Sequence, residues 1–543
     1  MNIPKRIEVE NLDHLGIIAG IIDELRIPEI VSERLGIEAQ EKINSGQIVK
    51  AIILNGLGFV SKPLYLFPQF FRNKAVEKLL GEGIKVEHIN DDKIGRVMDK
   101  LFCHGLSEIF VEIVLNTIKK YQISTKQAHL DASSMCLSGQ YQNQSGRLEI
   151  NQELEPSPQP IQIVKGYSRD HRPDLKQFVI NLICSNDGDI PLYFEGGDGN
   201  QSDKAKFTAI AKRFKKQVNF ESILVADSAL YSQENINNLG GISWLSRVPL
   251  SINSAKELVR DISSSELVKS ELDGYSWCVK ESNYGGIAQR WLVVESAARK
   301  KSDLEKLEKN IHKEYREKTQ KLKEICRSKY EHQSCLYQGL KSLDKSLKYH
   351  RISKIEIKEI TSNLSSKTEK TTSETTQYQL SATLVKDTAS IEVYEHRAGR
   401  FILATNILED SVLTPDEILA KYKEQQCTER GFRFLKDPLF FADSVFLKSP
   451  ERIETMAMLM GLCLLVYNLG QRELRSALKQ CNTGIKNQLG KLTKTPTLRW
   501  IFQCFQGIHF VRLNGEEEVV NLTDDRWWIL SFFPDACQSY YLL

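Results

Sequence analysis

The stretch KYKEQQCTERGFRFLKDPLF, residues 421–440, decides how this chain is read. Taken as one helix, it sets Tyr422, Glu429 and Lys436 a heptad apart, so the three side chains share a narrow stripe. Gln425 joins them by the i+3 and i+4 rule. Asp437-Pro438 then stops the helix. A stripe of mixed charge is ordinarily a solvated face. Whether this one is more depends on what the rest of the chain supplies.

The chain has 543 residues, which suggests two to four domains. Apolar residues make up 41% and charged residues 26%, an ordinary globular composition. A net charge of +3 does not by itself announce a nucleic-acid binder, although 73 Lys and Arg residues leave room for a local basic face. The 11 cysteines are scattered without a Cys-x-x-Cys pair, which argues against a zinc site or a disulfide framework and fits a reducing cytoplasm. The opening MNIPKRIEVENLDHLG has no apolar h-region, so no signal peptide is expected. TMAMLMGLCLLVYNLG, residues 455–470, falls short of a membrane span and reads as a buried core helix.

Residues 1–122 read as a helical N-terminal domain, a candidate for DNA-end binding or a dimerisation cap, from runs such as LGIIAGIIDELRIPEIVSERLG. Residues 123–249 alternate strands and helices: AHLDAS, KQFVINLICS and PLYFEGG around Asn186-Asp187-Gly188-Asp189, the amphipathic KFTAIAKRFKKQVNF, the apolar strand ILVA, and ISWLSRVP. Residues 250–400 read as a β-rich insertion. It includes YSWCVKES, IAQRWLVVES, YQLSATLVKD, SIEVYEHRAG and RFILATN as strands, the last running past residue 400. Within it, a charged helical hairpin spans about 299–350, with Leu304, Leu307 and Ile311 spaced for an antiparallel partner. SSKTEKTTSETT reads as a loop. Residues 401–475 carry the opening helix, and 476–543 form a C-terminal segment.

Two acids stand where an α/β sheet exposes chemistry. Asp131 lies on or just past AHLDAS, and Asp227 ends ILVAD as the chain turns toward a helix. The plain alternatives are a strand-edge turn for Asp131 and a helix N-cap for Asp227. Glu429 is a third acid, on a helix. Three carboxylates from two strands and a helix make a hard-oxygen set suited to a pair of Mg²⁺ ions.

HLDAS, VADSALY and YKEQQCTERGFRFLK together resemble the DDE transposases of bacterial insertion sequences. The last matches that family's Tyr-x₂-Arg-x₃-Glu-x₆-Lys signature at Tyr422, Glu429 and Lys436, with Gln425 standing in the Arg position. KGYSRDHRPDLKQF and DGNQSD resemble segments found between the two aspartates. The likeness is to the insertion-sequence-four-like group, the sixteen-thirty-four type within it, and covers about residues 125–470.

The resemblance implies an α/β, RNase H-like (retroviral-integrase) catalytic core. A β-rich insertion interrupts it, and a helical domain precedes it. It implies Asp131, Asp227 and Glu429 as catalytic, metal-binding residues for two Mg²⁺ ions, with Mn²⁺ able to substitute. The activity implied is cleavage of phosphodiesters at transposon ends, followed by joining of the 3′-OH to target DNA by in-line phosphoryl transfer. Tyr422, Gln425, Arg433 and Lys436 are the expected DNA contacts on the helix. Lys165, Arg169 and Arg172 are those expected on the basic arm, where contacts to phosphate set position rather than sequence. The implied partners are double-stranded DNA, as terminal repeats and target, and a second copy of the chain on that DNA. No membrane is involved. Cys427 lies about 200° around the helix from Glu429 and is expected to pack. Trp244, Trp277 and Trp291 are expected in the core. Rival readings are a metal-dependent nuclease of the same fold without strand transfer, an inactive DNA-binding relative, and a structural coiled-coil protein.

Overall fold

The computed structural model describes residues 7–59, 62, 66–139, 141, 158–168, 170–218, 222–364, 373–437 and 447–542. They fall into two compact units. The first comprises Met1–Ser246, Tyr284–Ile287 and Ala420–Leu543, and the second Arg247–Asn283 and Ala288–Leu419.

Past a first strand, Ile7–Asn11, the first unit continues in helices, as the apolar spacing predicts. In Ser45–Leu57 Asn44 and Gln47 close a capping box, Asn44 Oδ1 accepting from Gln47 N at 2.8 Å and Gln47 Oε1 from Asn44 N at 2.9 Å. The sequence reading set residues 476–543 apart from this front, but the structure interleaves the two. Strand Ile7–Asn11 pairs antiparallel with His509–Leu513, which pairs in turn with Glu516–Val520. A Cβ on Gly20 would stand 2.4 Å from Cys537 Cα, so only glycine lets the two backbones meet there. Tyr541 donates its hydroxyl to Asp13 O at 2.6 Å, and the half-buried Tyr540 and the buried Lys50 both bind the Asp23 carboxylate. Helix Pro450–Gln480 is long and apolar enough to cross a bilayer by length and composition, yet its apolar stretch lies inside the unit, as expected of a core helix.

At the centre of this unit lie five strands: β1 (Gln127–Leu137), β2 (Lys176–Ser185), β3 (Pro191–Gly197), β4 (Ile223–Ala226) and β5 (Ser243–Val248). Their order is β3-β2-β1-β4-β5. The first three are antiparallel neighbours, and β4 runs parallel to both β1 and β5. This is a mixed α/β sheet. Its strands are rich in Ile, Val, Leu and Phe because both faces are covered. One face meets helices Gln426–Leu435, Pro450–Gln480 and Leu106–Tyr121: a methyl on Gly431 would lie 3.1 Å from Leu182 and 3.3 Å from Leu464, and the Phe110 and Phe194 rings stand 5.9 Å apart. The opposite face takes helix Asp203–Val218, whose Phe214 ring meets Tyr193 edge-on at 6.0 Å. Tyr193 and Phe194 are consecutive in β3 and so point to opposite faces.

The second unit holds strands Arg400–Thr405, Gln289–Ser296, Tyr275–Ser282 and Val268–Lys269, antiparallel in that order. Helix Ala297–Arg327 and the returning Gln333–Lys345 form the expected hairpin. Its seam is not the one expected. Leu322 packs with Leu336, Leu340, Leu343 and with Leu380 of a long ribbon, His350–Leu364 against Ser373–Lys386. Leu307 and Ile311 instead pack on Ile391. Ile391 belongs to Thr388–Arg397, a helix where a strand was expected. The alternation in SIEVYE faces no buried sheet: Val393 and Tyr394 are exposed, and Ile391 alone of that helix is buried. Most of the expected loop SSKTEKTTSETT lies outside the described residues, and residues 373–376 begin the second ribbon strand.

Candidate active site

β1 is buried along most of its length, and Asp131 sits in it at 9% exposure. Leu182 is its partner across the antiparallel ladder, so the two side chains share a face. Leu182 meets Gly431, which puts Asp131 on the face that the Glu429 helix covers. Along the parallel β1–β4 pair the last registered partners are Leu130 and Ala226. Asp131 and Asp227 each follow by one residue, Asp131 within the eleven-residue β1 and Asp227 just past the end of the short apolar β4. Neighbouring strands run about 4.8 Å apart, which makes these two acids neighbours.

Asp227 is not the N-cap of the next helix. Its Oδ1 accepts from Ala229 N at 2.8 Å within a turn, and the helix begins at Gln233 behind a Ser232 cap. Ser246 Oγ donates to Asp227 O at 2.7 Å and ties the end of β4 to β5. Asp131 Oδ1 accepts from its neighbour Ala132 N at 2.8 Å.

The opening stripe does not lie on one unbroken helix. Pro415–Lys423 ends before Gln426–Leu435 begins, with Glu424 and Gln425 between them. Tyr422 therefore belongs to the first helix and Glu429 and Lys436 to the second, and Gln425 is the half-buried N-cap of the latter. No Gly or Pro marks the break. Glu424 is drawn to Asn186 at 3.1 Å in the β2–β3 turn, and Gln127 of β1 donates to Lys421 O at 3.0 Å.

The second helix is fixed from below and from the side. Cys427, Gly431 and Phe434 face the sheet and core, and Cys427 is buried as expected. Arg430 grips Asp189 with two hydrogen bonds of 2.6 Å, which raises the guanidinium pKa. Glu429, on the outer side, is exposed. Lys436 caps the helix end and donates to both oxygens of Asp170, at 2.8 and 3.0 Å. On the arm, Lys165 is exposed, Arg172 is paired with Asp174 at 2.9 and 2.7 Å, and Arg169 lies outside the described residues. Arg433 is exposed on the helix, and Tyr422 is half-buried. Trp244 and Trp291 are buried, and the half-buried Trp277 donates to Asp416 at 3.0 Å.

Carboxylate oxygens suit a hard divalent cation, and Asp131 and Asp227 each follow the last registered pair of two adjacent strands. Among the described residues, no three His, Cys, Asp or Glu side chains are gathered closely enough to hold an ion. The pair fits as two ligands, and a complete set does not stand assembled.

Two residues escaped the sequence reading. His129, two positions before Asp131 on the same face, is fully buried, and its Nδ1 has no hydrogen-bond partner. Burial first, then the nearby Lys421 and Arg430 charges, push its pKa down to about 3, so it is neutral. Asp170 was hidden among the basic residues of its arm, and only its pairing with Lys436 reveals it.

Residues 7–115 match the model of a domain of unknown function, DUF4277. No curated protein matches the chain. Among solved structures, the chain is similar to the piggyBac transposase in a synaptic complex with hairpin DNA. Identity is 9% and the TM-score 0.37, over 97% of this chain and 79% of that one.

Proposed function

We propose that this chain is a DDE-type DNA transposase of the insertion-sequence-four-like group, sixteen-thirty-four type, built on an RNase H-like core. The observation that carries the reading is the position of Asp131 and Asp227. They are successive to the last registered pair of two adjacent parallel strands, under a face covered by the Glu429 helix. The order β3-β2-β1-β4-β5, which sets the two Asp strands side by side, supports the reading. The motif spacing in the sequence supports it independently.

In this reading Asp131 and Asp227 hold Mg²⁺, with Glu429 as the third ligand. The bound ions would supply Lewis-acid stabilisation of charge on phosphorus and a lowered pKa for the attacking oxygen. The chain's own part is positioning. Gly431 lets the helix lie close on β2, Arg430–Asp189 sets its rotation, and Lys436 offers a cation to the DNA backbone. The DNA partners are the element's terminal repeats and a target duplex, held by a homodimer. A second reading, a relative that binds DNA without cutting it, is favoured by the ungathered third carboxylate.

The test is incubation of the full chain with Mg²⁺ and a plasmid carrying the DNA that flanks its own gene. Nicks with free 3′-OH ends at the element boundaries, and their joining to a second duplex, are expected. Both should vanish in Asp131→Ala and Glu429→Ala. Cutting that persists in both variants overturns the proposal, and binding without cutting by the parent chain selects the second reading.

A further inference from the structure

The arm that carries the basic residues also carries an acid, and that acid occupies the cation at the end of the Glu429 helix. Asp170 lies in a tight turn: His171 N donates to Ser168 O at 3.3 Å and Arg172 N to Ser168 Oγ at 3.1 Å, with His171 in the left-handed region at φ 57°. Cys136 Sγ, on β1, lies 3.4 Å from Ser168 Oγ and 3.9 Å from Asp170 Oδ2, so the turn rests on the strand that bears Asp131. Arg172 is taken by Asp174, whose carboxyl it holds down at about 2, and so does not compete for Asp170. Among the described residues Lys436 is the cation paired with Asp170. Behind the turn, the arm is sewn to the sheet by Val164 N to Gln177 O at 3.3 Å, Gln177 N to Val164 O at 2.9 Å, and Gln177 Nε2 to Tyr167 O at 3.1 Å.

We propose that Asp170 is a gating and positioning residue. It holds Lys436 in place while no DNA is bound, and a DNA phosphate must displace it to reach that lysine. The inference rests on the DNA-binding role proposed for Lys436 above. The pair is suited to exchange. Both side chains are part-exposed, at 28% for Lys436 and 40% for Asp170, so it is weak enough to open. A lysine at a helix C-terminus is also favourably placed on its own account, which keeps it there after the acid leaves. No bond is made or broken: one anionic oxygen group replaces another at the same ammonium.

Displacement has a signature that a merely structural contact lacks. In the parent chain, the phosphate that reaches Lys436 frees an Asp170 carboxylate that then gathers cations, so one counterion release is cancelled. In Asp170→Asn it is not. The logarithmic dependence of DNA affinity on salt should therefore steepen by about one. The experiment titrates the full chain against a short fluorescein-labelled DNA duplex over a series of salt concentrations, by anisotropy. Asp170→Asn is expected to bind about two- to fivefold more tightly at low salt, with the steeper slope. Neither change should appear when Asp170→Asn is made in a Lys436→Gln background. If the parent binds DNA but Asp170→Asn binds no better and with the same slope, the gate is overturned and the proposed function stands. If the gain survives in the Lys436→Gln background, Asp170 acts elsewhere and the gate is likewise overturned. If none of the proteins binds duplex, the proposed function falls and the gate with it.

Discussion

β1 in the first unit and the ribbon His350–Leu364 in the second are both long strands, and they treat charge in opposite ways. β1 carries one acid in eleven residues, buried, at the point where its registered pairing with β4 ends. The ribbon strand carries Arg351, Lys354, Glu356, Lys358 and Glu359 along its length, all of them exposed. A strand closed on both faces cannot solvate a charge, so one that persists there is costly unless a partner or ion takes it up. On a strand with one face in water, a charge costs nothing and marks nothing. The difference explains why the acids of the first unit carry a functional reading and the many charges of the insertion carry none.

The sharpest way to break that contrast is to neutralise one acid in each region. Asp227→Asn should lower DNA cleavage on the order of 10²-fold or more while duplex affinity stays within about twofold, whereas Glu356→Gln should change neither. Equal losses in a gel-based cleavage assay would erase the distinction. Next in size, Leu336→Ala empties a fully buried site under the ribbon and should cost about 2–5 kcal/mol. Amide hydrogen exchange should then accelerate in 297–386 and not in β1, and acceleration of β1 would show that the two regions share a core.

A third substitution tests the seat of the Glu429 helix. Gly431→Leu drives a side chain into Leu182 and Leu464 and should cost about 1–3 kcal/mol in the urea midpoint. Gly339→Leu, in the open on the insertion hairpin, should cost nothing and gain about 0.5–1 kcal/mol from helix propensity. The smallest effect per step is that of pH. His129 is held neutral at a folded pKa of about 3, against about 6.5 for an unfolded imidazole. The folded value is the lower, so protonation favours the unfolded chain. Its stability is whole above about pH 6.5 and falls by about 1.4 kcal/mol per pH unit from there toward 3. His129→Gln should flatten that slope in urea midpoints taken against pH, with His14, at about 4, leaving a remainder.

Much of the five-stranded sheet was legible because its strands are short apolar runs that end in turn residues or acids: ILVA before Asp227 and KQFVINLICS before Asn186-Asp187-Gly188-Asp189. The adjacency of Asp131 and Asp227 needed the parallel register, which no local pattern encodes. The break at Glu424 and Gln425 was invisible because helix-favouring residues occupy it, and tertiary contacts to Asn186 and Gln127 decide it. SIEVYEHRAG was misread because its alternation answers to no buried face. The pairing of Ile7–Asn11 with His509–Leu513 joins residues some five hundred positions apart, beyond the reach of any local signal.

That pairing, with Cys537 laid on Gly20 and Tyr541 bonded to Asp13, has a consequence for biosynthesis. Residues 15–57 leave the ribosome long before residues 509–541, and the surface they offer to that segment stays open in the meantime. A nonsense codon shortly before residue 537 would leave every residue of that front in place and still yield a front that cannot close.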